Sequence, residues 1–382
     1  MKNKSTIILL SILSILIIVA GGVLIYKVIT NEKETINHQT TDEQIPDKEE
    51  EKPIIVEQKE PEIFSGNDRP IAVMIDNHKG AWPQANLEKA YIVYEIIVEG
   101  GETRLMAVFK GQNLDKIGPI RSSRHYFLDY ALENDAIYVH HGWSPQAQNN
   151  IKTLGVNNIN GIQESSKDFW RVKNKSTPHN LFTNTESILK IAERKGYSTT
   201  SSKKSILKYV TNEINLGEKY GENISENPEQ SVENTTIQTN TSEIENKTKA
   251  INATTITIPH SSLQTVKYEY NEETKRYTRY ARGRLQIDYI TNEDVTTKNI
   301  IITMCDNYTL EDSEKKGRQG LKNIGEFDGY YITNGKAIPI KCIKNSREAQ
   351  TIYKDLTGNE IQVNDGNTFI NICPADAKVV IE

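Results

Sequence analysis

Ile71-Ala-Val-Met-Ile-Asp-Asn-His78 is the stretch on which the fold turns. Five apolar residues without polar alternation read as a strand buried on both faces, and Asp76-Asn77 reads as its carboxyl end. Downstream, Tyr91–Ile97 and Leu105–Phe109 are strand candidates of the same kind. Gly118-Pro119 breaks the chain, after which Ser122 or Ser123 can cap a helix running to about Asn134. Ala136–Val139 is a further strand and ends in His140-His141-Gly142. Ser144 or Pro145 opens a helix to Leu154-Gly155, and Thr185–Lys195 reads as a helix stopped by Gly196. Residues 67–216 therefore read as a mixed α/β domain.

The pattern changes after the polar stretch 217–250. Residues 251–382 give β patterns almost throughout, from Thr254–Ile258 and Val266–Tyr270 through Asn299–Met304 and Ile338–Ile343 to Phe369–Ile372. Asn334-Gly335 and Asp365-Gly366 are hairpin turns in type. On the amino side, Ser5–Tyr26 carries no charge over 22 residues, long enough at 1.5 Å per residue to cross a hydrocarbon core of about 30 Å. The fold class expected is thus α+β: an N-terminal transmembrane helix, a mixed α/β domain, then a mainly antiparallel β domain. Residues 1–30 read as a cytoplasmic tail and signal anchor, and 31–66, with Glu49-Glu50-Glu51 and three prolines, as a disordered acidic stalk. The expected location is the cell membrane, single-pass, with the C-terminal ectodomain outside the cytoplasm.

Hydrophobic residues make up 36% of the 382, against roughly 45–50% in an average globular chain, and the two polar tethers account for the shortfall. The net charge of -5 divides unevenly: +3 over 1–30, -7 over 31–66, +4 over 67–216, -4 over 217–250 and -1 over 251–382. The region of interest is therefore mildly basic. Only Cys305, Cys342 and Cys373 are present, with no C-x-x-C, so no zinc or redox motif exists and at most one disulfide can form. No G-x-S-x-G, Walker A or G-x-G-x-x-G occurs, and no cofactor is expected.

Residues 67–216 hold His78, His125, His140, His141 and His179 together with Asp76, Glu95, Glu99, Arg104, Arg121 and Arg124. Asp76 and His140-His141 follow strand ends, where ligand sites of open α/β sheets gather. Gly118-Pro-Ile-Arg-Ser-Ser-Arg124 places two guanidinium groups and two hydroxyls near an expected helix start, an arrangement suited to carboxylate or phosphate. The alternative is that Arg121 and Arg124 pair internally with Glu95, Glu99 or Asp129. Asp76, Glu95 and His140 are the candidate acid–base groups; Arg104, Arg121, Arg124, His141 and His179 are the candidate ligand-binding groups. Metal binding has no spaced motif to support it, and adjacent His140 and His141 on a strand point to opposite faces. Lys275–Arg284 is a basic–aromatic cluster (Lys275-Arg-Tyr-Thr-Arg-Tyr-Ala-Arg-Gly-Arg284) and reads as an exposed strand pair with solvated arginines. Nucleic acid is not the expected partner of an outer domain.

Arg69-Pro-Ile-Ala-Val-Met-Ile-Asp-Asn-His78, Ile92-Val-Tyr-Glu95, Glu99-Gly-Gly, Thr103-Arg104, Ile117-Gly-Pro-Ile-Arg-Ser-Ser-Arg124, Val139-His-His-Gly142, Ser144-Pro-Gln146 and Pro178-His-Asn-Leu-Phe182 resemble the YerB-like family of bacterial lipoproteins. Tyr268-Glu-Tyr270, Tyr277-Thr-Arg279, Lys298-Asn299 and Asn334-Gly335 resemble its second domain. The resemblance covers about 67–200 and 254–382. It implies a surface-attached protein with a two-part ectodomain and carries no activity. Val19-Ala-Gly-Gly22 looks like a lipoprotein processing box with Gly22 where the lipid-carrying Cys would stand, so an uncleaved membrane span is expected instead. The functions compatible with these observations are binding of an anionic cell-envelope ligand such as a wall polymer, hydrolysis of wall glycan or phosphodiester bonds, and scaffolding of other envelope proteins.

Overall fold

The computed structural model describes residues 61–222, 248–311 and 314–382. The expected anchor over Ser5–Tyr26, the stalk up to residue 60 and residues 223–247 of the linker lie outside the described residues. The first half contributes five strands to a mixed sheet: β1 (Ile71–Asp76), β2 (Ile92–Ile97), β3 (Thr103–Phe109), β4 (Ile137–His140) and β5 (Asn158–Asn160). β1 is buried along its whole length. Ile71, Val73 and Ile75 enter the core on one face and Ala72 and Met74 the core on the other, which explains an unbroken apolar run in the sequence.

A second, antiparallel sheet is built on β6 (Thr255–Pro259), β7 (Thr265–Asn271) and β8 (Arg276–Ala281). Burial alternates along these strands. Ile256, Ile258, Val266, Tyr268 and Tyr277 share one apolar core with Val73, Val93, Ile300 and Phe369 of the large sheet. The later strands β9 (Asn299–Met304), β10 (Gly325–Thr333), β11 (Lys336–Lys344), β12 (Ile352–Asp355) and β13 (Thr368–Cys373) then return to the first sheet. Its order is β12-β11-β10-β9-β13-β2-β3-β1-β4-β5, eleven strands with Ile251–Asn252 on β11.

The seam lies between β2 and β13, which run parallel with Ile92 opposite Thr368 and Ile96 opposite Ile372. The expected division into an α/β domain followed by an antiparallel β domain is thereby corrected. Strands from both parts of the chain complete one mixed sheet, because β2 and β13 each have apolar faces on both sides and only a flanking strand can pair their backbone groups. Helix content is also smaller than expected. Among the described residues there are four short helices, α1 (Phe127–Glu133), α2 (Pro145–Thr153), α3 (Thr185–Arg194) and α4 (Leu216–Tyr220). None of them is long and apolar enough to cross a membrane, so the transmembrane helix of the expected fold class has no counterpart in the described structure.

α2 and α3 form where their caps place them. Ser144 Oγ accepts from Ala147 N, and Asn184 Oδ1 accepts from Ser187 N. α1 starts later than expected: its cap is Tyr126, without a side-chain cap bond, and Ser122 and Ser123 are not in its first turn. They are drawn instead into backbone pairing with the end of β4. Ser123 N donates to Gly142 O at 3.0 Å and Ser144 N donates to Ser123 O at 3.2 Å. α1 covers one face of the large sheet with Phe127, Leu128, Tyr130 and Ala131. The three cysteines are free and buried.

Candidate functional site

β1 and β4 are parallel neighbours, so their carboxyl ends, Asp76 and His140, open on the same edge of the sheet. The segment after Gly118 is stitched across that edge. Asp76 N donates to Pro119 O (2.8 Å), Arg121 N to Met74 O (2.9 Å) and His141 N to Arg121 O (3.0 Å). Ile120 N donates to Leu181 O (2.7 Å), which draws in the loop carrying His179. Gly118 makes this approach possible: its φ is +143° and a Cβ there would stand 2.8 Å from Leu181 O. Arg121 is therefore fixed by backbone bonds to both strand ends and a neighbouring loop.

Asp76, Arg121 and His179 come together. Asp76 is 3% exposed; its Oδ2 accepts from His179 Nδ1 at 2.7 Å and lies 3.1 Å from Arg121 Nε, and its Oδ1 accepts from His78 N at 3.1 Å. The Arg121 contact is an ion pair without hydrogen-bond alignment, and Arg121 Nε is buried with no hydrogen-bond partner. His78, named above only as one of the histidines, stacks on His179 with ring centroids 4.3 Å apart and planes 11° apart.

His140, the last residue of β4, and His141, just past its end, have different surroundings. His140 is wholly buried, with Nδ1 against Gly142 O at 2.8 Å and Nε2 against Asn158 Oδ1 at 3.2 Å. Burial pulls it down to about 4 despite these two bonds. His141 instead lines a cleft of about 440 Å³ with Arg121, Ser122, Trp143, Ile162 and Arg171. Its ring is held below the ordinary histidine value by burial and then by Arg171 and Arg121, and its Nδ1 is buried without a hydrogen-bond partner. An adjoining space of about 500 Å³ shares His141, Ile162 and Arg171. Among the described residues, no carboxylate lines the first of these cavities.

The other candidates stand apart from the cleft. Arg124 makes a fork with Glu99, Nε to Oε1 at 2.5 Å and Nη2 to Oε2 at 2.8 Å. Arg104, opposite Asp76 in the β1–β3 register, donates to Ser122 O at 2.6 Å. Burial, then the like charges of Arg124 and Arg121, bring it down to about 10. Glu95 lies in the interior and is ion-paired to Arg279 of β8. Glu95 Oε1 also accepts from Thr103 Oγ1 (2.7 Å), Asn77 Nδ2 (3.1 Å) and Gln264 Nε2 (3.2 Å). Burial would raise this carboxyl, but Arg279 and the donors around it hold it below its ordinary value.

The Lys275–Arg284 cluster is corrected in the same way. Arg279 is 0% exposed, and the half-buried Arg282 pairs with Glu102. Arg171 was not among the expected groups. Its sign in the sequence is the run Lys167, Arg171, Lys173, Lys175 between two short apolar stretches. A larger groove of about 1190 Å³ runs along α3 beside Asp68, Arg69, Glu186, Lys190 and Glu193. It mixes both charge signs and contains none of the candidate groups. No cluster of three metal-ligating side chains occurs among the described residues.

Residues 57–198 match the family model described as "Protein of unknown function (DUF3048) N-terminal domain", and residues 256–370 match the corresponding C-terminal domain. The chain is 29% identical over 314 residues to "Putative lipoprotein YerB" of Bacillus subtilis (strain 168), covering 80% of this chain and 81% of that protein. The crystal structure of YerB protein from Bacillus subtilis is similar at a TM-score of 0.67 and 27% identity, over 85% of this chain and 97% of that one. With both of its domain models matched in order and a solved relative of the same fold, this chain belongs to the YerB-like family, a family of unknown function.

Proposed function

We propose that this chain is an extracytoplasmic, membrane-associated protein that binds an anionic group of the cell envelope in the Arg121–His141–Arg171 cleft. The description of its Bacillus relative as a lipoprotein supports the location. One observation carries the ligand class. The cleft is lined by two guanidinium groups and, among the described residues, by no carboxylate; Arg121 Nε, held by its ion pair with Asp76, and His141 Nδ1 are buried without hydrogen-bond partners. Buried polar atoms left unpaired are uncommon and costly, and an anionic oxygen satisfies a guanidinium N–H by the strongest type of protein hydrogen bond. Asp76 offsets part of the Arg121 charge, and Arg171, which donates to Asn180 Oδ1, has no carboxylate partner among the described residues.

The test is titration calorimetry of the full-length chain against a soluble phosphodiester polymer, poly(glycerol phosphate). A charge-assisted hydrogen bond contributes about 1.5–3 kcal/mol. Arg121→Ala and Arg171→Ala should therefore each weaken binding at least about tenfold. Equal affinity of the double variant and the wild type would eliminate the reading. Arg124→Ala is the comparison variant, since its guanidinium is already committed to Glu99, and it should bind as the wild type does.

A further inference from the structure

We propose that the ligand of the cleft is a linear phosphodiester polymer, and that Lys116 and Lys175, gathered on the Tyr289 ring, hold a second phosphate of the same strand; this rests on the anion-binding reading above. The Lys116 and Lys175 ammonium groups lie 5.0 and 5.2 Å from the centroid of Tyr289. Tyr289 in turn packs on Phe182, with centroids 5.5 Å apart, and its Oη accepts from Asn174 Nδ2 at 3.0 Å. Lys175 Nζ donates to Ala81 O at 3.0 Å and to Trp82 O at 2.6 Å. These neutral acceptors orient the ammonium without cancelling its charge. Among the described residues, neither lysine has a carboxylate partner. Burial brings Lys175 down to about 8, as expected of a cation partly withdrawn from water with no counter-charge. Two like charges on one ring repel each other, and an anionic oxygen between them removes that repulsion and accepts charge-assisted hydrogen bonds.

Asn180 ties this station to the cleft. Its Oδ1 accepts from Arg171 Nη1 at 2.7 Å, and its Nδ2 donates to Val172 O at 3.0 Å and to Lys175 O at 3.1 Å. Asn180 is buried, so one interior amide fixes the Arg171 guanidinium and the backbone that carries Lys175. Four residues of chain separate the two, which keeps their Cα atoms within about 14 Å. The loop therefore presents two positioned sets of cations, Arg171 with Arg121 at the cleft and Lys175 with Lys116 at Tyr289.

One phosphate cannot occupy both stations, whereas a strand with repeating phosphates can. Once the first is seated, capture of the second is intramolecular and raises the affinity without a new contact at the cleft. A single-stranded nucleic acid offers the same charge, but its binding draws on aromatic faces that stack bases. At the second station the Tyr289 ring is taken up by Phe182 and the two ammonium groups. A phosphodiester of a simple polyol is the better fit.

Calorimetry on the full-length chain compares three probes, with affinities expressed per phosphate: sn-glycerol 3-phosphate, poly(glycerol phosphate) and a dT oligonucleotide of matched phosphate number. Wild type should bind the polymer at least about tenfold more tightly than the single phosphate. The double variant Lys116→Gln, Lys175→Gln should lose most of that advantage and show a weaker dependence on NaCl, while its affinity for sn-glycerol 3-phosphate stays within about twofold of wild type. Lys116→Gln alone, which removes a ring contact and none of the hydrogen bonds described above, should lose part of the advantage and keeps the test decisive if the double variant does not fold. Arg121→Ala should weaken binding of both glycerol phosphate probes. Polymer affinity unchanged in Lys116→Gln and in the double variant, or tighter binding of the oligonucleotide than of poly(glycerol phosphate) by wild type, overturns this proposal and leaves the binding reading intact. Absence of polymer binding by wild type overturns both.

Discussion

Replacing Arg279 with Met should be among the most destabilising single changes in the molecule. Arg279 and Glu95 are both 0% exposed and pair across 184 residues of chain, one from each half. The guanidinium also lies over Phe369, 5.4 Å from its centroid. Removing one partner of such a pair leaves an uncompensated buried charge and costs about 3–5 kcal/mol. Thr103, Asn77 and Gln264 still donate to Glu95, which places the expected loss toward the lower end of that range.

The double variant Glu95→Gln, Arg279→Met removes both charges and should recover most of the loss. Urea unfolding of wild type, the two single variants and the double variant at pH 7 gives the coupling directly. The pH dependence supplies an internal check. Without Arg279, burial raises the Glu95 carboxyl above its unfolded value, so the unfolded chain is favoured at neutral pH and the deficit of Arg279→Met shrinks as pH falls. A loss under about 1 kcal/mol for Arg279→Met, or a double variant as unstable as the sum of the singles, would show that the pair does not hold the halves together as argued.

Three further outcomes follow from the interior and the cleft. His140 is neutral in the folded chain, at about 4 against an ordinary 6.5, and the unfolded chain takes up its proton first. Its contribution of about 3 kcal/mol is complete above pH 6.5 and is lost as pH falls toward 4, so acid urea titrations should flatten in His140→Gln. Burial pushes the Cys305, Cys342 and Cys373 thiols up to about 12; the native chain should resist labelling by a thiol reagent at pH 8 and expose three thiols on unfolding. Binding through Arg171 at an open mouth should weaken with salt, and an affinity unchanged between 0.05 and 0.5 M NaCl, values chosen as roughly 14 and 4 Å screening lengths, would point to apolar contacts instead.

Local patterns in the sequence were sufficient for some of this architecture. The run Ile71–Ile75 specifies a two-faced buried strand because both parities are apolar, and Ser144 marks a helix start because its side chain caps it. The shared sheet was not legible. Its seam pairs Ile92 with Thr368, and nothing local in either strand selects the other as partner. The supposed helix start at Ser122 failed for a related reason: the backbone bonds of Arg121 and Ser123 to β1 and to Gly142 are tertiary, and they outweigh a capping preference of about 1 kcal/mol.

The candidate site was legible as residue types more than as a constellation. His140 and His141 were expected to diverge by strand alternation, but β4 ends at His140, and nothing local indicated which of the two would line the cleft. Arg279 shares parity with the buried Tyr277 and Ala281 in Arg276–Ala281, a period-2 clue to a buried arginine that the surrounding basic residues obscured. Arg171 sits in a two-residue strand, Trp170–Arg171, too short for any periodicity to mark it.

The most direct measurement is a crystal structure of the full-length chain with dimethyl phosphate, the smallest dialkyl phosphodiester. Density for the phosphate between Arg121 and Arg171 is the predicted result. Phosphate found only elsewhere on the molecule, with the cleft holding water alone at saturating ligand, would contradict the account.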